Sequence, residues 1–290
     1  MPELPEVETV KLGLNRLIKN LVITDISFDW PKGFPNSKAD VDNFLIGAKV
    51  LSVKRRGKAL IVFLDSSYCL VIHLKMTGQL VFRGYESFGA GHPNDSLIGP
   101  LPDKSTRVVI FFEDGSKLFF NDQRKFGWMR LMPEVEVPNL NFMKKLGPEP
   151  LSSEFTKKEF IERVMRRKNS SIKATILDQT VLAGVGNIYA DESLWAAKIH
   201  PASLTGSISK VKLGNLYEAI REILARSIEL GGSTDRNYVD AEGKRGSYLE
   251  FANVFRREGQ NCPRCNSIII KTKVASRGTH ICLKCQRKTK

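Results

Sequence analysis

Two groups of residues could carry chemistry. The first opens the chain as Met1-Pro2-Glu3-Leu4-Pro5-Glu6. Met1 precedes a small residue, so its removal is expected, and Pro2 then carries the α-amine. A terminal amine titrates at about 8, against about 10.4 for lysine, so far more of it is uncharged at neutral pH. Proline's amine is secondary. It can attack a carbon bearing a leaving group and pass to an iminium, the covalent logic of a lysine Schiff base. Glu3 adjoins it and can move its protons. By themselves Pro2 and Glu3 leave a frayed terminus open as the alternative.

The second group is Cys262-Pro-Arg-Cys265 and Cys282-Leu-Lys-Cys285, two pairs with 16 residues between them. That spacing suits four thiolates on one zinc ion, each pair on a turn. A redox dithiol is the alternative. A closed four-sulfur site leaves no open coordination position, so one structural Zn2+ is expected and no metal catalysis. The fifth cysteine, Cys69, falls in an apolar run and reads as core.

These residues need elements to hold them. Pro5 suits the first turn of a helix, where its missing N–H costs nothing. Val7, Val10, Leu14 and Leu17 follow at spacings of three and four, one apolar face. Such a helix pins the terminus to a core and turns its positive end toward Pro2, Glu3 and Glu6. Beyond it, Leu21–Phe28, Ala48–Val53, Ala59–Leu64, Cys69–Leu74, Arg107–Phe112 and Lys117–Phe120 are short strand-like runs. Asp114-Gly115 marks a hairpin. Residues 84–106 read as a long loop. Strands with one packed helix predict a β-sandwich or barrel.

Four prolines in 133–150 place a linker there. The pattern then turns helical. Thr156-Lys-Lys-Glu159 is a capping box opening a helix to about Arg167. Further helices are expected over Ile172–Gln179, Asn187–Ala197 and Ser209–Leu230. Leu182-Ala-Gly-Val-Gly-Asn187 turns tightly into a helix N-terminus, which can face a phosphate; an ordinary helix–helix turn is the alternative. Between the cysteine pairs, Ile268–Val274 and Thr279–Ile281 read as a hairpin with Ala275-Ser-Arg277-Gly278 as its tip, presenting the arginine.

Charge narrows the function class. The formal net charge is +14 in 290 residues, and 42% hydrophobic content is ample for a core. Residues 251–290 hold ten Lys or Arg and one acid, Glu258. A polyanionic partner follows, most simply nucleic acid. No apolar run is long enough to span a membrane. The acidic start lacks a signal-peptide core, so an intracellular protein is expected. Basic or insertable residues also stand at turns: Arg55-Arg56-Gly57-Lys58, His73-Leu-Lys75-Met76-Thr77-Gly78 and Asp122-Gln-Arg124-Lys125-Phe126-Gly127. Met, Arg and Phe exposed together would suit a wedge filling the gap left by a flipped base.

The whole chain resembles the bacterial formamidopyrimidine-DNA glycosylases, a family that also includes endonuclease VIII. The opening Pro-Glu-Leu-Pro-Glu-Val-Glu-Thr, the Gly57-Lys58 turn, His73 to Gly78, Arg124-Lys-Phe126-Gly, Gly186-Asn-Ile-Tyr-Ala and the cysteine pairs occur in the family's order. Leu4 favours the formamidopyrimidine branch, since the endonuclease VIII branch usually has Gly there. The resemblance implies a multidomain α+β protein. Its parts would be an N-terminal β-sandwich with packed helices (2–132), a linker (133–150), a helix–two-turn–helix domain (151–250) and a C-terminal four-cysteine zinc finger (251–290).

It also implies a bifunctional glycosylase and abasic-site lyase of base excision repair. The substrates would be 8-oxoguanine and formamidopyrimidines in double-stranded DNA, handled by a monomer in the bacterial cytosol. Pro2 would attack the sugar C1′ and Glu3 would move protons, with Glu6, Lys58 and Arg277 completing the catalytic set. His73, His92, Asn187 and Arg277 would contact DNA. Met76, Arg124, Lys125 and Phe126 would do so as the wedge and its neighbour. Gly232–Ser247 would close over the extruded base. One departure is Phe255-Arg256, where the family often has Tyr then Gly, so a hydroxyl contact to phosphate is missing. The competing readings are a pyrimidine-specific relative, a silent zinc-dependent DNA-binding protein, and an RNA-binding zinc-ribbon protein.

Overall fold

A computed structural model of the chain describes residues 1–92, 94–232 and 248–288. It divides into two compact units, Met1–Lys144 with Leu230–Ser247, and Lys145–Glu229 with Tyr248–Lys290. The expected closing loop, 232–247, lies outside the described residues except for Gly232.

The first unit begins with α1, Leu4–Leu17. Val7, Val10, Leu14 and Leu17 are all buried, as their spacing predicts. The strands that follow are β1 (Ile23–Phe28), β2 (Val50–Arg56), β3 (Ala59–Leu64), β4 (Tyr68–His73), β5 (Gly78–Arg83), β6 (Ser87–Gly91), β7 (Thr106–Phe112), β8 (Lys117–Asp122) and β9 (Trp128–Pro133), with a short helix, α2 (Lys38–Asp40), continued by a π-helical segment at Val41–Leu45, between β1 and β2. They form two antiparallel sheets, ordered β1-β7-β8-β5-β6 and β2-β3-β4-β9. One core joins α1 to both sheets, through residues such as Leu14, Val53, Leu60, Leu80 and Phe120. α1 packs on β2 of one sheet and β6 of the other. The approach to β6 is close: a Cβ on Gly13 would lie 2.2 Å from the Phe88 ring, so only glycine fits. The helix that carries the amine end is therefore held by both sheets.

The strand-like runs fall where expected, with ends shifted by up to three residues. Three strands were not read from the sequence. β5 and β9 follow turns whose polar residues masked the alternation. β6, Ser-Phe-Gly-Ala-Gly, occupies part of the expected loop 84–106; two glycines obscure its pattern, yet it pairs along β5. The stretch 133–150 carries a 3-10 turn, Glu134–Asn139, and α3, Asn141–Lys145.

The second unit contains α4 (Lys157–Met165), α5 (Ile172–Leu177), α6 (Asn187–Ala196) and α7 (Lys210–Glu229). Thr156 Oγ1 accepts from the Glu159 amide at 3.2 Å, a true N-cap. On α7, Leu216, Ile220, Ile223 and Ser227 are buried along one face. The chain ends in a hairpin, β10 (Ile270–Val274) with β11 (Arg277–Ile281). Ala275 and Ser276, at φ +51° and +60°, make its two-residue turn. The tip is thus two residues and not the four expected, since Arg277 and Gly278 already pair in the ladder. Arg277 starts β11, paired with Val274.

Candidate active site and nucleic-acid interface

The amine end is built by the start of α1. Glu3 is the N-cap residue, and its side chain accepts from the Glu6 backbone. Glu6 Oε2 in turn accepts from the Glu3 amide at 2.7 Å. This reciprocal pair satisfies two of the helix's orphan donors and fixes both carboxylates beside Pro2. Pro2, Glu3 and Glu6 are buried, whereas Met1 is exposed. The terminus is not frayed. Gly232, in the left-handed region at φ +87°, passes against Glu6: a Cβ there would lie 3.2 Å from Glu6 Oε1.

Lys58 reaches its place through a relay from the same helix. Glu8 Oε2 accepts from Arg55 Nε at 2.7 Å, and Glu8 Oε1 pairs with Lys11. Burial alone would raise the Glu8 carboxyl, but the two cations more than offset it and hold it below the usual carboxylate range. Arg55 then donates Nη1–H to the Gly57 carbonyl at 2.9 Å, setting the turn before Lys58. A run of basic residues at a turn is more often a solvated face. Arg55 is instead a structural tie.

His73 ends β4 against Trp128 and Phe142, at ring distances of 5.9 and 6.2 Å. Burial, aided by Lys75 and Lys58, pulls its pKa from 6.5 to about 3. Its Nδ1 accepts from the Lys75 amide at 3.0 Å, which leaves the proton of the neutral ring on Nε2. His73 can therefore donate one hydrogen bond without carrying charge.

Met76, Arg124 and Phe126 come together on two adjoining loops. Arg124 Nη1 lies 3.1 Å from Met76 Sδ, and the guanidinium is 4.8 Å from the Phe126 ring centre. Met76 and Phe126 are 37% and 50% exposed, unusual for large apolar side chains. The organiser of this cluster escaped the sequence reading. Asp122, buried at the end of β8, accepts from the amides of Arg124, Phe126 and Gly127 at 3.2, 2.7 and 2.6 Å, and from the Thr77 hydroxyl. An Asp opening a turn is the signal that could have found it. Lys125 stands at φ +56° with its ammonium 4.5 Å from the Trp30 ring centre. His92 adjoins through its backbone: its amide donates to the Gly78 carbonyl at 3.0 Å, and its carbonyl accepts from Gln79.

In the second unit, Gly184 at φ +83° makes the turn before α6, and Gly186 is the extended N-cap. The Gln179 side chain ties this turn, donating to the Leu177 and Val185 carbonyls and accepting from the Gly184 amide, each at 2.9 Å. Asn187 Nδ2 donates to the Gly278 carbonyl at 3.0 Å, so the head of α6 and the hairpin bearing Arg277 are tied together. Beneath them Lys173, fully buried, donates to Asp191 Oδ1 at 2.6 Å, Thr279 Oγ1 at 2.8 Å and the Gly278 carbonyl at 3.1 Å. The neighbouring Glu192, also buried, accepts from the amides of Asn253, Val254 and Phe255, each at 2.8 Å. Lys173, Asp191 and Glu192 gave no sign in the sequence, because charged residues in a helix register as surface until their partners are seen; Gln179, a neutral side chain in the turn after α5, carried no signal either.

Cys262, Cys265, Cys282 and Cys285 bring their sulfurs within 4.8 Å of one another, and no disulfide joins them. Four convergent thiols with two buried and two half-buried suit a closed tetrahedral zinc site. Among the described residues no helix is long and apolar enough to cross a membrane.

Comparison with known proteins agrees with this geometry along the chain. The formamidopyrimidine-DNA glycosylase N-terminal domain matches residues 1–129. The H2TH domain of the same proteins matches 146–239, and a zinc finger found in these proteins and in isoleucyl-tRNA synthetase matches 259–287. The four cysteines thus constitute a structural zinc finger. The formamidopyrimidine-DNA glycosylase of Pelotomaculum thermopropionicum is 39% identical over 288 residues, 99% of each chain. That of Herpetosiphon aurantiacus is 41% identical, covering 99% of this chain and all of the relative. Among solved structures, a Lactococcus lactis enzyme bound to abasic-site DNA is 35% identical with a TM-score of 0.87. A MutM complex with carbocyclic 8-oxoguanine DNA is 36% identical with a TM-score of 0.86; each structure covers 99% of this chain and is itself covered completely. The matches run from one end of the chain to the other, and the chain belongs to the formamidopyrimidine-DNA glycosylase family.

Proposed function

We propose that the chain is a bifunctional DNA glycosylase and abasic-site lyase of base excision repair, removing oxidised purines from duplex DNA in the bacterial cytosol. The observation that carries the reading is the capping box that buries Glu3 and Glu6 beside Pro2. It presents a terminal amine on a rigid helix end, with two carboxylates at hand. After loss of Met1, the Pro2 nitrogen bonds to the sugar C1′ as the bond to the damaged base breaks. A proton delivered to the ring oxygen opens the sugar and leaves an iminium. That cation acidifies C2′; loss of its proton expels the 3′ phosphate, and a second elimination expels the 5′ phosphate. Glu3 moves these protons, and Glu6 holds the Glu3 backbone.

Lys58, His73, Asn187 and Arg277 hold phosphates, His73 as a neutral donor. Met76, Arg124 and Phe126 fill the space of the extruded nucleotide, with Lys125 and His92 flanking them. Their shared exposure and mutual contact support this role. The relatives' complexes with 8-oxoguanine, formamidopyrimidine and abasic-site DNA support the substrate class.

The test is reduction with borohydride in the presence of a duplex holding 8-oxoguanine opposite cytosine. A covalent protein–DNA adduct that disappears in Pro2→Gly is expected. No adduct from zinc-loaded protein shown by mass to lack Met1 would overturn the enzymatic reading. An adduct formed only on oxidised pyrimidines would move the substrate to the endonuclease VIII type.

A further inference from the structure

Trp195 closes the end of α6 against the zinc finger. Its indole Nε1–H donates to Cys262 Sγ at 3.4 Å. The Arg264 guanidinium lies 3.8 Å from the centre of the same ring. Arg264 also donates to the carbonyls of Trp195 at 2.9 Å and Ala196 at 3.3 Å, so two residues of the Cys262–Cys265 turn are clamped to the helix end. Trp195, Cys262 and Cys282 share a buried apolar cluster with Val254 and Ile269, while Cys265 and Cys285 remain half-exposed.

Four thiolates on one divalent ion carry an excess of negative charge, and a buried sulfur has no water to disperse it. An N–H aimed at such a sulfur withdraws part of that charge, and partners of this kind hold and tune a metal site as its ligands do. We propose that Trp195 is a positioning residue for the zinc ion. Its indole N–H makes Cys262 the least nucleophilic of the four sulfurs and the last to leave the metal, so retention of the ion depends on helix α6. Electrophiles and chelators then attack the site from its half-exposed side, Cys265 and Cys285.

The test uses the full chain loaded with zinc, and Trp195→Phe, which keeps a ring for Arg264 but deletes the N–H. Three measurements are made: the rate of zinc transfer to a chelator, the order in which the cysteines are alkylated by iodoacetamide as read by peptide mass, and the sulfur-to-metal charge-transfer band of the cobalt(II)-substituted protein. In the variant, zinc transfer is expected to be about tenfold faster. Cys262 should be alkylated together with the others instead of last, and the cobalt band should move to lower energy. Faster transfer with an unchanged band and an unchanged alkylation order would overturn the proposal, since it would mark Trp195 as packing alone; no change in any of the three would overturn it equally. If the phenylalanine variant fails to hold metal, benzothienylalanine at position 195, which keeps the shape and replaces N–H by sulfur, decides. The same band shift and order change support the proposal, and wild-type behaviour overturns it.

Discussion

Arg256 holds a left-handed backbone at φ +58°, with its guanidinium 6.0 Å from the Phe255 ring centre. A non-glycine residue there is strained by about 1–2 kcal/mol. The chain must turn left-handed there, just after Glu192 has gathered the amides of 253–255, a conformation that glycine adopts without strain. Arg256→Gly is expected to stabilise the fold by about 1 kcal/mol in urea unfolding, while removing one cation from the basic tail.

His73 makes a second residue-scale prediction. The unfolded ring takes up a proton near 6.5, while the folded ring resists until about 3. The unfolded state thus binds more protons between these values, and stability falls as pH drops through that window. His73→Gln should lose less stability than the parent between pH 7 and pH 5. Cys69 is simpler: burial, with Glu134 nearby, pushes its thiol up to about 12. In zinc-free but folded protein at pH 8, iodoacetamide should label the four finger cysteines and leave Cys69 unmodified. The reading of Cys69 as core was available from its apolar neighbours; the strain at Arg256 was not, because φ is not written in residue type.

At the scale of elements, the buried pair of Lys173 on α5 and Asp191 on α6 ties both helices to β11. Removing Lys173 leaves the Asp191 carboxylate in a dry interior without its cation, held by the His280 amide at 2.8 Å and facing the His280 ring at 3.3 Å. Lys173→Met is therefore expected to cost about 3–5 kcal/mol by thermal or urea unfolding, and Lys173→Met with Asp191→Leu to recover most of it. A double variant as unstable as the single one would show that the bonds to Gly278 and Thr279 matter more than the ion pair. The elements themselves were largely legible. α1 and α7 declared themselves by their apolar faces, α4 by its cap, and the finger by its cysteines. α6 did not show its environment. It carries Asp191 and Glu192 side by side, which reads as a solvated turn, yet both are buried because backbone amides and a lysine arrive from distant segments. β6 hid behind its glycines for the opposite reason, having too little side chain to signal a face.

For the molecule as a whole, charge is the governing quantity. If Arg277 neutralises a phosphate, Arg277→Ala should weaken binding to all duplexes alike. It should also lower the slope of log affinity against log salt by about one unit. An unchanged slope would remove Arg277 from the phosphate contacts. The candidate site was readable as a set of residues because its members sit at turns in short motifs. Its completeness was not readable, since Glu6 at one end of the first unit meets Gly232, which arrives only after the whole helical segment of the second unit has been traversed. That detour has a consequence during synthesis. A ribosome adding about 5–20 residues per second needs on the order of 10–50 s to pass from Glu6 to Gly232. A growing chain therefore exposes its amine early but lacks the backbone that backs Glu6. The surroundings of Glu6 are therefore complete only after the helices of the second unit have been made.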